Sequence, residues 1–193
     1  GFDPVTYHIL PDKVGCLATA LRQASMRYDV ILLTGGMSVG KYDLVRQTIE
    51  QIGAKVRLHG VAMKPGKPFL FATLPGNRTI FGLPGNPLSA LTGLHEFVLP
   101  ALRRMSGMNP QACRPCLRLP LGSGLTSKGG RARYILGRLS LDETMSCVVP
   151  VASRSSADLV SAGRADGAIV VPANVTRLRA GEIVEFRPWR ALS

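Results

Sequence analysis

Four consecutive apolar residues, Val30-Ile31-Leu32-Leu33, follow Tyr28-Asp29 and run into Thr34-Gly35-Gly36. An unbroken apolar run of this length predicts a strand buried on both faces, as in a parallel sheet. Upstream, Val14, Leu17, Ala18 and Leu21 recur at helical spacing behind Pro11-Asp12, which predicts a helix with an acidic first turn. Residues 2–10 read as a further strand. Beyond the glycines, Asp43 is placed to cap a helix carrying Leu44, Val45, Thr48, Ile49 and Ile52, which Gly53 ends. Residues 55–59, 68–74 and 78–81 have strand character, with Leu74-Pro75-Gly76-Asn77 as a turn. Leu83-Pro84-Gly85-Asn86-Pro87 then breaks the chain before a helix over 88–105, with Leu91, Leu94, Val98, Leu102 and Met105 on one face. Pro100 should kink or divide that helix. Strands alternating with helices define an α/β fold with a mainly parallel sheet.

After Asn109-Pro110 the pattern changes. Short, turn-punctuated strands are predicted at 116–119, 134–141, 146–152, 168–171 and 182–186, with one short helix over 156–164. The expected organisation is an α/β domain over residues 1–109 and a small β-barrel or sandwich over 110–193.

Composition supports a packed chain, with 46 % hydrophobic and 19 % charged residues in 193. No apolar run is long enough to span a bilayer and no basic-then-apolar leader opens the sequence, so the expected location is cytoplasmic. Because the chain starts at Gly1, not Met, it reads as a fragment of a longer protein. The net charge of +12 points to an anionic partner. Scattered arginines without interleaved aromatic residues argue against nucleic acid. Cys113-Arg-Pro-Cys116 is half of a zinc motif, but no second pair or nearby His completes it, so no structural zinc is expected.

Loops at the carboxyl ends of parallel strands are where an α/β sheet binds ligands. The turn at 34–40 has Gly35, Gly36 and Gly40, which let backbone amides approach a ligand, and Thr34 and Ser38, which add hydroxyl donors. Such a turn suits an anion, although Asp43 nearby opposes one unless a cation intervenes. In Met63-Lys64-Pro65-Gly66-Lys67-Pro68 two lysines flank a Pro-Gly turn, an arrangement suited to a phosphate or oxyanion. In the third loop Pro84 and Pro87 stiffen the backbone, Gly85 permits close approach, and Asn86 and Ser89 supply polar groups.

These words together resemble the molybdopterin molybdotransferase family, MoeA in bacteria and the gephyrin E-domain in animals. The matching segments are Thr34-Gly-Gly-Met-Ser-Val-Gly40 with Tyr42-Asp43, Ala62-Met-Lys-Pro-Gly-Lys-Pro-Phe69, and Gly82-Leu-Pro-Gly-Asn-Pro-Leu-Ser-Ala90, in family order. The resemblance implies a three-layer α/β/α sandwich lacking its first part, followed by the family's C-terminal β-barrel domain. It implies insertion of molybdenum from molybdate into adenylated molybdopterin, with magnesium-dependent release of AMP. Lys64 and Lys67 would bind phosphate or molybdate oxygens, and Asp43 would hold Mg2+ or position the adenylated substrate. The glycines of the first loop, with Thr34, Ser38, Pro84, Gly85, Asn86, Pro87 and Ser89, would line the pterin site. The full-length protein is expected to be a homodimer.

The C-terminal part departs from the family. Its Gly-Arg-x-x-Phe-x-Arg-Gly pattern reads Gly130-Arg-Ala-Arg-Tyr-Ile-Leu136-Gly137, and its Gln-Gly-Ser reads Arg154-Ser-Ser156, where Ser156 stands for the substrate-binding serine. The alternatives are a MogA-like molybdopterin adenylyltransferase, which lacks the appended β-domain, and a non-enzymatic ligand-binding or scaffolding module. A dinucleotide-binding dehydrogenase does not fit, because Gly35-Gly36-x-x-x-Gly40 is not its fingerprint.

Overall fold

The structure is a computed structural model that describes residues 8–37, 44–141 and 146–190. Of the strand expected over 2–10, residues 2–7 lie outside the described residues, and 8–10 carry no regular structure. Helix α1 (Val14–Arg27) starts two residues after Asp12, so its first turn holds no acid. Strand β1 (Val30–Thr34) follows, then α2 (Leu44–Gln51) and β2 (Lys55–His59). Next come β3 (Met63–Lys64), β4 (Leu70–Leu74) and β5 (Arg78–Leu83).

These strands, without β3, form a four-stranded sheet in the order β1-β5-β4-β2. Only β1 and β5 pair in parallel; β4 is antiparallel to both β5 and β2, so β2 runs the same way as β1 and β5 and β4 alone is reversed. The described sheet is therefore mixed, with three strands in one direction, as the expectation of a mainly parallel sheet requires, and β4 as the exception. The cause is the tight turn at 74–77, where Gly76 (φ +78°) and Asn77 (φ +60°) reverse the chain directly into β5. Leu17, Leu21, Val45 and Ile49 of α1 and α2 cover one face of the sheet, against Leu70, Ala72 and Ile80. Phe81, Leu83 and Phe71 on the other face pack against Val98, Leu94 and Leu102. The result is the expected α/β/α layering.

The second helical layer runs as α3 (Pro87–Gly93), a π-helical turn over Leu94–Val98, and α4 (Leu99–Met105). Within the turn, the Leu99 amide reaches back five residues to the Leu94 carbonyl. Pro100 has no N–H and its ring crowds the carbonyl four residues earlier, so the wide turn takes the place of the predicted kink.

The remaining strands are β6 (Leu117–Pro120), β7 (Leu125–Thr126), β8 (Ala132–Leu141), β9 (Ser146–Pro150), β10 (Gly167–Val171), β11 (Arg177–Leu178) and β12 (Ile183–Pro188), with α5 (Leu159–Gly163) between β9 and β10. They enclose a core of Leu121, Val148, Ile169, Val171, Val184 and Phe186. The sheet curls through β9, β8, β10, β12 and β6 until Leu121 bridges Val148, so the expected barrel is a curled sheet with a one-bridge seam. Strands β7 and β11 form a separate pair.

Two features join the halves. Strand β3 belongs to the first half of the sequence but pairs in parallel with β8, Met63 against Ala132 and Lys64 against Arg133. Glu96, in the π turn, is buried and accepts a 3.1 Å hydrogen bond from the Tyr134 hydroxyl. The guanidinium Nε atoms of Arg114 and Arg187 lie 3.7 and 3.9 Å from its carboxylate. Burial pushes the Glu96 carboxyl above its ordinary range, against the pull of both arginines. His95 stacks on Trp189 with ring centroids 5.5 Å apart. Burial, reinforced by Arg103, lowers its pKa from 6.5 to about 4.

Glu96→Ala leaves the Tyr134 hydroxyl without its acceptor and Arg187 with Glu185 as its remaining carboxylate, so urea unfolding at neutral pH should show a loss of about 1–3 kcal/mol. A depressed folded-state pKa at His95 contributes stability above pH 6.5 that is lost as pH falls toward about 4. Unfolding curves at successive pH values should therefore show a shallower decline over that window in His95→Gln than in the parent chain.

Candidate functional site

The site forms because β1 and β5 are adjacent and parallel. Thr34 and Leu83 are register partners at the ends of these strands, so the loops after them leave the sheet at the same edge. The Gly35 amide donates to the Leu83 carbonyl at 3.1 Å, and the chain then turns through Gly35 (φ +83°) and Gly36 (φ +66°). Only glycine adopts such angles without strain. The loops also touch. A Cβ on Gly85 would lie 3.3 Å from the Gly35 Cα, so this approach depends on glycine. Met37 packs over Gly82 beneath the first loop.

The lysine loop meets the third loop through Gly66, where a Cβ would stand 3.6 Å from the Ser89 carbonyl oxygen. The Lys67 carbonyl accepts from both Val61 and Phe69 at 2.9 Å, which fixes the turn. Lys64 and Lys67 are exposed, and neither ammonium has a hydrogen-bond or ion-pair partner among the described residues. Thr34, Gly85 and Asn86 are exposed, whereas Pro84 and Ser89 are buried and Pro87 opens α3. The Asn86 side chain makes no capping bond to the helix it precedes.

Ser156 joins the same group: its carbonyl accepts the Leu88 amide at 2.9 Å. Its turn is braced by Asp158, which accepts from the amides of Arg154 and Ser161 and from the Ser161 hydroxyl. Those bonds, the Ser161 amide foremost, hold the Asp158 carboxyl below its usual range. Asp158 was missed in the sequence, although an acid directly before Leu159-Val160-Ser161 is a helix-capping signal. Leu136, which stands where the family pattern has arginine, is buried with Leu88, Ala162 and Ala165. In this chain that position packs the halves together and offers no charge.

Thus Thr34, Gly35, Gly36, Lys64, Lys67, Pro84, Gly85, Asn86, Pro87, Ser89 and Ser156 come from neighbouring loops at one edge of the sheet. Ser38, Gly40 and Asp43 lie outside the described residues. Among the described residues no three His, Cys, Asp or Glu side chains are grouped to hold a metal, and the charges that the loops present are lysines. The two ammonium groups suit an anion, and the carboxylate of Asp12 approaches the glycine turn, its Oδ1 3.9 Å from where a Cβ on Gly36 would stand. No helix among the described residues is long and apolar enough to cross a membrane.

The chain thus combines an α/β/α layer that has a glycine- and lysine-lined edge with a curled β-sheet that follows it. Residues 1–104 match the family model described as "Probable molybdopterin binding domain", and 118–189 match the MoeA C-terminal region, domain IV. The chain belongs to the molybdopterin-binding, MoeA-type family. Among curated relatives, a molybdopterin molybdenumtransferase of Nostoc is 32 % identical over 95 % of this chain and 43 % of its own. Gephyrin of Dictyostelium discoideum is 32 % identical over 92 % of this chain and 28 % of its own. A solved molybdopterin biosynthesis MoeA protein from Pyrococcus horikoshii superposes with TM-score 0.77 at 29 % identity, covering 95 % of this chain and 43 % of that one. The chain therefore spans less than half the length of these relatives.

At Gly36 a Cβ would come within 2.9 Å of the Val45 Cγ2 and the residue would hold a positive φ. Gly36→Ala should lose about 1–2 kcal/mol in chemical denaturation. Gly35→Ala, with nothing within 4 Å of its Cβ, should pay only the backbone part and lose less.

Proposed function

We propose that this chain carries the pterin-binding and C-terminal parts of a molybdopterin molybdotransferase, which inserts molybdenum from molybdate into adenylated molybdopterin and releases AMP. The observation that carries this reading is the convergence of the lysine loop and the two glycine loops at one edge, through Gly66 beside Ser89 and Gly85 beside Gly35. Adenylated molybdopterin is polyanionic and molybdate is an oxyanion. Lys64 and Lys67 would hold their oxygens, and the glycines admit the ligand close to backbone amides. As the adenylate leaves, negative charge grows on its phosphate, and a fixed ammonium there lowers the barrier. Thr34, Asn86 and Ser89 would orient the pterin, with Ser156 at the rim.

Asp43 would position the adenylate or ligate Mg2+. Dimerisation of the full-length protein, and a division of the chain near residues 109 and 110, belong to the same proposal. The match of residues 118–189 to domain IV favours molybdotransferase over the MogA-like adenylyltransferase, which has no such appendage.

The test is AMP release from adenylated molybdopterin on addition of molybdate, using the full-length protein. Lys67→Ala and Asp43→Asn should each lose more than tenfold of the rate, while unchanged insertion in both would overturn these roles. Adenylation of molybdopterin from ATP would instead support the adenylyltransferase reading.

A further inference from the structure

The pairing of β3 with β8 sets two cations side by side. Lys64 and Arg133 are register partners in a parallel ladder, so their side chains leave the same face from backbones about 4.8 Å apart. Met63 and Ala132, the preceding partners, leave the other face, where Met63 is buried against Gly66. Across β8, Arg133 pairs with Val171, which is buried in the core of the second sheet. Ile135, two positions further along β8 and so on the same face, packs against that core as well. Arg133 is half-buried and Lys64 exposed. The two cations therefore stand at the rim of that core, at the anchored end of the lysine loop.

Like charges directly opposite each other on a sheet repel, and a fold that keeps such a pair ordinarily sets a carboxylate beside it. No such relief is present here. Among the described residues neither Lys64 nor Arg133 has a hydrogen-bond or ion-pair partner. Between Glu50 and Asp142 the sequence contains a single acid, Glu96. Its carboxylate is already engaged by Tyr134, Arg114 and Arg187. The ladder partners of Arg133 are a second cation on one side and an apolar residue on the other.

The described fold thus holds two positive charges together, by backbone pairing, without supplying the charge that would neutralise them. One tetrahedral oxyanion with two negative charges does so. A guanidinium presents a planar fork to two oxygens, and an ammonium is a compact point charge for a third. A singly charged oxyanion of the same shape fills the same space but leaves one of the two cations uncompensated.

We propose that Arg133 is a further binding residue of the lysine-loop site, and that Lys64 and Arg133 together select a doubly charged tetrahedral oxyanion over a singly charged one. The inference rests on the function proposed above and deepens it. The same chemistry is offered by free molybdate and by the phosphate of a nucleotide monoester. Either would bridge the ammonium on β3 and the guanidinium on β8, so the ligand itself would help to tie the two halves together.

The test titrates molybdate, AMP and perrhenate into the full-length protein by calorimetry at neutral pH. Perrhenate has the shape of molybdate with one negative charge fewer. The parent should bind at least one of the two dianions more tightly than perrhenate. Arg133→Gln should weaken that dianion about tenfold and perrhenate much less, while Arg133→Lys, which keeps the charge, should retain most of the discrimination. In anion-free buffer Arg133→Gln should melt no lower than the parent, because it relieves a repulsion. A response confined to molybdate assigns the pair to the free oxyanion, and one confined to AMP assigns it to the nucleotide phosphate; both support the proposal. Unchanged discrimination in Arg133→Gln, equal losses for perrhenate and the dianions, or a lower melting temperature overturns it. If discrimination is unchanged while Lys67→Gln still abolishes dianion binding, the proposed function stands without Arg133. Loss in Arg133→Gln with no effect of Lys67→Gln supports the pair and removes Lys67 from the site. No saturable dianion binding by the parent overturns both.

Discussion

The two-residue pairing of Met63 and Lys64 with Ala132 and Arg133 is the constraint on which the site depends. A lysine loop on an open turn would sample many positions, and ordering each ammonium costs side-chain entropy. Here one end of the loop is a strand of the C-terminal sheet, while the other end enters β4 of the N-terminal sheet. Both ends are held by backbone bonds, so the loop's place relative to the glycine turns follows from the docking of the halves. The C-terminal part thereby shapes the site through backbone pairing. That accounts for how Leu136 can be apolar: packed on Leu88, it holds β8, and β8 holds β3.

The docking is secured by a different kind of interaction. Glu96 is a buried acid whose neighbours pull in opposite directions, burial favouring the proton and Arg114 and Arg187 favouring the charge. Such a group adds little net stability compared with an apolar side chain, but it tolerates few alternative partners. Arg187 reaches it from β12 and Tyr134 from β8, so it specifies how the second sheet sits against the π turn. Apolar contact among Leu88, Leu136, Ala162 and Ala165 supplies the non-directional share. The joint combines adhesion from one group with orientation from the other.

Much of this was legible in the sequence because glycine, proline and lysine carry local conformational or chemical meaning. Gly35, Gly36, Gly85 and the two loop lysines could be singled out individually. What could not be read was who meets whom. The contact of Gly85 with Gly35 follows from the register of Thr34 with Leu83, and that of Gly66 with Ser89 from the path of the lysine loop. Register is a long-range property that short patterns do not encode. Val30-Ile31-Leu32-Leu33 reported correctly on a parallel pairing but not on burial of both faces, since β1 ends the described sheet and Leu32 stays 46 % exposed, and the reversal of β4 was set by the turn at 74–77. Strand β3 was invisible because two residues have no periodicity, and its partner lies 69 positions further along the chain. Glu96 gave a signal of a sort, a single acid between Leu94 and Val98 on an apolar helix, yet nothing local named its partners.

Backbone and side chains have different roles at this edge of the sheet. Positive-φ glycines bring two loops within van der Waals contact and leave no side chain between the sheet edge and a ligand. That creates room and amide donors, but a peptide dipole is weak compared with a full charge. In the proposed site charge would come from Lys64 and Lys67, whose loop meets the third loop where Gly66 lies beside the Ser89 carbonyl. A bulkier residue at 66 would press on Met63, the residue whose pairing anchors the loop. Glycine at this one position therefore links the fold to the chemistry: it allows the loop to close on the third loop without disturbing the strand pairing that holds it.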